Sequence, residues 1–108
     1  MSLYLCLFDG DREIDGVEAG SYAQFNSFRE SAGNCAKGGR PSLPTLLGHS
    51  DCDGEWTPGE CGDLLGELGR IEPGRVARFV DPDGAPLLGA LRRLAEIAVE
   101  RQLPILFQ

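Results

Sequence analysis

Two apolar runs, one at each end of the chain, leave little choice about the centre of its fold. Leu3–Phe8 and Leu103–Phe107 are both almost free of polar side chains. A half-solvated strand alternates apolar and polar residues, whereas a strand covered on both faces reads as a continuous apolar run. Leu3–Phe8 does not alternate and reads as a strand covered on both faces. Its counterpart at the other end is expected beside it, in the middle of one sheet. Pro104 fits such a strand only near its start, or on a side where no ladder donor is needed. A chain of 108 residues buries about 65% of its extended surface, which is enough for one core, so a single domain over residues 1–108 is expected.

Between the two runs lie signals for helices and turns. Asp9-Gly10-Asp11 makes a turn, and 14–19 reads as a second, more exposed strand. Ser21 is a good N-cap, and Gln24 three residues later completes a capping-box pattern. Tyr22, Phe25, Phe28, Ala32 and Cys35 then recur at helical spacing up to Gly38 and Gly39. The brief apolar stretch Pro44–Gly48 reads as a strand. Thr57 as N-cap, Pro58 at the first helical position and Glu60 three residues past the cap open a second helix. Trp56 and Cys61 form its hydrophobic staple. Leu64, Leu65, Leu68 and Ile71 give that helix its buried face.

Val76–Val80 reads as a strand that stops at the turn Asp81-Pro82-Asp83-Gly84, and Pro86 begins a third helix. Strand, helix and final strand then make a right-handed crossover, with Val76–Val80 parallel to Leu103–Phe107. The expected class is α+β: one mixed sheet of four or five strands, three helices and a C-terminal parallel βαβ unit.

Charge narrows the function. The chain carries 17 acidic and 10 basic side chains, a net charge of −7. Nucleic acid and anionic membranes are bound through Lys and Arg, so a chain this acidic is not expected to bind either. The excess is local: residues 1–69 hold 12 acidic side chains against four basic ones, Arg12, Arg29, Lys37 and Arg40. Six of the acidic residues fall between Asp51 and Glu67, with no basic residue among them. A basic partner is the natural complement. No run of residues is apolar for long enough to cross a membrane, and the amino-terminal segment lacks a basic leader, so a soluble cytoplasmic protein is expected. In a reducing cytosol Cys6, Cys35, Cys52 and Cys61 stay unpaired. His49, Cys52 and Cys61 with Cys35 offer zinc-ligand types at a spacing that fits no common zinc pattern.

The densest run of polar chemistry is His49-Ser50-Asp51-Cys52-Asp53-Gly54-Glu55-Trp56-Thr57-Pro58-Gly59-Glu60. Counted from His49, it has the spacing of an EF-hand calcium loop. Asp51 and Asp53 fall at positions 3 and 5, Gly54 at 6, the Glu55 carbonyl at 7, Thr57 at 9 and Glu60 at 12. Histidine stands at position 1, where a hard cation favours a carboxylate. Much of the run also has a plainer reading as a turn followed by a helix cap. That reading leaves the clustering of Asp51, Asp53 and Glu55 beside Trp56 unexplained. An acidic patch around an aromatic anchor suits a protein-binding epitope. Nucleophilic chemistry has little to stand on, because His49 and Cys52 lack an accompanying oxyanion-hole signature. No cofactor and no small-molecule substrate are expected.

The opening Ser2–Asp9, the Gly20–Phe25 segment, the His49–Trp56 run, Asp81–Leu88 and the closing Leu103–Gln108 together resemble the immunity protein 70 family. The stretch between the second helix and Asp81 is shorter than expected of that family. The resemblance implies a non-enzymatic cytoplasmic protein that binds and neutralises a cognate bacterial polymorphic toxin by occlusion. Asp51, Asp53, Glu55 and Trp56 are the expected contact residues. The alternative is a small calcium-binding module that uses His49, Asp51, Asp53, Glu55 and Glu60.

Overall fold

The computed structural model describes residues 2–33, 43–49 and 54–108. Two long strands, β1 (Ser2–Asp9) and β2 (Arg12–Ser21), form an antiparallel hairpin. Its two-residue loop places Gly10 at φ 65°, a conformation glycine adopts without steric cost. Helix α1 (Tyr22–Gly33) follows at once, closed at its start by the expected capping box. The Ser21 N–H donates to Gln24 Oε1 at 2.7 Å and the Gln24 N–H donates to Ser21 Oγ at 3.1 Å. The expected continuation of this helix to Cys35 and the glycines beyond lies outside the described residues.

After α1 come α2 (Pro44–Gly48), the two-residue β3 (Glu55–Trp56), α3 (Pro58–Leu68), a single 3-10 turn (Pro73–Arg75), α4 (Leu87–Arg101) and β4 (Ile105–Phe107). The described residues thus hold four strands and four α-helices, in an α+β arrangement. The strand order is β2-β1-β4-β3, and every pairing is antiparallel. The two terminal apolar runs are central neighbours, as expected, with Leu5 opposite Phe107 and Cys6 opposite Leu106. Pro104 sits just before β4, where it interrupts no ladder bond.

Four expectations are corrected. The sheet is antiparallel throughout, not mixed. Val76–Val80 is not a strand: Val76 is buried and Phe79 is half-buried, packed edge-on to Phe28. The Phe79 N–H donates to the Val76 carbonyl, which curls the segment into a turn. Its one bridge joins Val80 to Pro86, and the Asp81 carboxylate closes the turn between them by accepting from the Asp83 and Ala85 N–H groups. With β3 on the far side of β4, the parallel βαβ unit does not form. Pro44–Gly48, expected as a strand, is helical, for reasons given below.

All four helices contribute buried side chains to one core cluster, which they share with Leu3, Leu5 and Leu7 of β1 and with Ile105 and Phe107 of β4. Tyr4, Cys6 and Phe8 point to the opposite face of the sheet and are not part of that cluster. The described helices cover one face of β1; on the other, Cys6 is fully buried and Tyr4 and Phe8 are half-buried. On the other face the Tyr4 phenol lies over Gly16, where an added methyl group would overlap the phenol oxygen. Among the described residues, no helix is long and apolar enough to cross a membrane.

Burial, followed by a hydrogen bond to Glu13 and its charge, pushes Tyr4 from 10.0 to about 12. A phenol with a raised folded pKa favours the folded state fully below pH 10, and that contribution is lost as pH rises towards 12. Absorbance titration should therefore show a tyrosine ionising near pH 12 in the folded protein. Gly16→Ala displaces the ring, and the late step should move down towards 10. An unshifted titration in Gly16→Ala would contradict the packing described.

Candidate functional site

The His49–Glu60 segment joins the edge of the sheet to α3, and its geometry starts with α2. A five-residue helix cannot sustain itself on its own hydrogen bonds. Glu67, buried on α3, supplies what the N-terminus lacks: its carboxylate accepts from the Thr45 N–H at 3.1 Å and the Leu46 N–H at 3.0 Å. Arg29, buried on α1, serves the other end, with Nη1 donating to the carbonyls of Leu46 at 3.2 Å and His49 at 2.6 Å. The Trp56 indole donates to the Thr45 carbonyl at 3.1 Å. An anion at the N-terminus and a cation at the C-terminus complement the helix dipole. A strand at Pro44–Gly48 would have left both buried charges without these partners.

Trp56 is the structure's main correction to the expected contact set. Its side chain is fully buried, packed edge-on to Phe107 with 4.7 Å between ring centroids. It braces the segment from beneath and presents no ring to a partner. Glu55, its neighbour in β3, is exposed. Asp51, Asp53 and Cys52 lie outside the described residues.

The two ends of the 49–55 segment are fastened together. The His49 ring stacks on Phe107 at 4.1 Å, and Nε2 donates to the Glu55 carbonyl at 2.9 Å. The Phe107 N–H donates to the Gly54 carbonyl at 3.0 Å. Gly54 has φ 91°, which favours glycine at the turn into β3. Helix α3 opens with the predicted capping box: the Thr57 N–H donates to Glu60 Oε1 at 3.0 Å and the Glu60 N–H donates to Thr57 Oγ1 at 3.2 Å. The Thr57 backbone bond, assisted by its hydroxyl, holds the Glu60 carboxyl below the usual carboxylate range. The Cys61 thiol donates to the Trp56 carbonyl at 3.5 Å, and burial pushes it up to about 11, well away from thiolate chemistry at neutral pH.

The local shape shares several features with a calcium loop. A helix precedes it, glycine with positive φ stands at position 6, a two-residue strand occupies 7 and 8, and the exit helix begins at 10. Two oxygen positions are differently engaged, however. The position-1 side chain donates an N–H to the position-7 carbonyl, and the Glu60 carboxylate turns back to the helix cap. Among the described residues no three metal-ligating side chains stand together.

Sequence reasoning missed Glu67 and Arg29. Glu67 was counted with the acidic surface, yet it follows Leu64 by three residues on the buried face of α3. That spacing was the available signal. Removing a buried partner leaves backbone groups unsatisfied, at about 1–3 kcal/mol. Glu67→Ala and Arg29→Met should each lower unfolding stability by about that amount, measured by chemical denaturation. Because both hold the same short helix, the double variant should fall short of the sum. Strict additivity would show that the two clamps act independently.

No family model, curated protein or solved structure matches the chain.

Proposed function

We propose that the protein works by binding, as an immunity protein that occludes a cognate bacterial toxin with a basic surface. The observation that carries this reading is the fastened stem of the 49–55 segment. Asp51, Asp53 and Glu55 belong to a segment whose ends are held by the His49–Glu55 and Phe107–Gly54 bonds and backed by buried Trp56. A stem ordered before binding lowers the entropy cost of association, and carboxylates steer a cationic partner towards it. Toxin neutralisation itself rests on the family resemblance and on the excess of negative charge.

The test co-expresses the chain with the toxin domain encoded beside its gene and measures growth. Protection is expected. Asp51→Asn, Asp53→Asn and Glu55→Gln together should weaken toxin binding mainly by slowing association, with a reduced dependence on salt. Unchanged affinity with an unchanged salt slope would remove the acidic epitope.

The loop geometry favours one second reading, a calcium module. On the binding-protein reading, the His49–Glu55 bond stands where a cation would sit, so calorimetric titration with calcium should give no heat and no thermal shift. A response corresponding to about 10⁻⁴ M affinity or tighter would instead establish the calcium module.

A further inference from the structure

β1 is written as a strand covered on both faces, yet the described helices cover one. The other face is defined by cross-strand register, since directly opposed residues project to the same side. Around Tyr4, Cys6 and Phe8, β2 places Glu18, Gly16 and Glu13 opposite in turn. On the other flank Leu106 lies opposite Cys6, and Glu55 lies opposite Leu106. An apolar centre is thus bounded by carboxylates on both sides, with no Lys or Arg at any of these positions.

Tyr4, Phe8 and Leu106 are half-buried, while Glu13 and Glu55 are exposed. The Tyr4 ring covers Gly16, so the apolar centre is held in place. Apolar centre and polar rim is the anatomy of a protein interface.

The geometry points to this sheet face as a docking surface for a protein partner that carries Lys or Arg around an apolar centre. The inference rests on the reading that the chain acts by binding a basic partner, and it moves most of the contact from the 51–55 segment to the sheet, with Glu55 common to both. A second copy of the chain is the wrong occupant, because a two-fold pairing would set like carboxylates against each other. Nucleic acid is repelled by the same charges.

The test uses the full chain labelled with ¹⁵N and two synthetic peptides, one alternating lysine and valine, the other with glutamine for lysine. Amide shifts induced by the lysine peptide should concentrate on β1, β2 and Leu106, and the glutamine peptide should induce none. Glu13→Lys with Glu18→Lys should weaken lysine-peptide binding at least about tenfold. The milder Glu13→Gln with Glu18→Gln removes the charges without reversing them and should weaken it less. Shifts spread evenly over all acidic residues, shifts confined to α3, or equal binding by folded variants would overturn the inference. So would concentration-dependent dimerisation through the same amides.

The growth assay separates this proposal from the one it rests on. If the unaltered chain protects and Glu13→Lys with Glu18→Lys protects equally, the sheet face is overturned and the immunity reading stands. If the unaltered chain fails to protect while the peptide maps to the sheet, the immunity reading falls and the docking surface stands.

Discussion

The five residues of α2 depend on two buried charges from distant parts of the chain, and much of the candidate site depends on α2. Glu67 meets its N–H groups and Arg29 meets its carbonyls, so peptide dipoles help to stabilise each ion. Burying a charge without such partners is strongly unfavourable. The arrangement ties α1 and α3 to one another through a segment too short to fold alone. The same arrangement sets the position of His49, whose carbonyl is one of the Arg29 acceptors and whose ring stacks on the last strand.

That frame separates two kinds of acidic residue which look alike in composition. Glu67 is structural and internal, and Glu60 caps a helix. Glu55 and Glu13 remain exposed, beside the apolar side chains of the outer sheet face. A negative net charge is therefore not one property of this molecule. Part of it holds backbone groups in place, and part is presented outward, where it can steer a partner.

Legibility varied with the range of the interaction that decides each element. Ser21 with Gln24 and Thr57 with Glu60 were readable because a capping box closes within three residues. The pairing of the terminal strands was readable from their shared apolar character. Pro44–Gly48 was not: its apolar residues suit a strand or a helix, and the choice is made by Glu67 and Arg29, each well separated in sequence. Val76–Val80 failed similarly, since Val76 and Phe79 bury at a spacing of three when α1 and α4 are in place. Trp56 was misread because proximity to acidic residues in the sequence says nothing about which side of β3 a ring occupies.

By itself the sequence determined the starts of α1, α3 and α4, the hairpin turn and the central place of two apolar strands. These are decided by backbone hydrogen bonds and hydrophobic burial acting over a few residues or along a whole strand. Only the tertiary structure decided that β4 runs antiparallel to both its neighbours, the helical state of α2, the burial of Trp56 and Glu67, and the half-buried face around Tyr4 and Phe8 that the described helices leave. Those outcomes depend on which groups meet across the fold, and a buried charge or an indole N–H finds its partner only once the chain has closed around it.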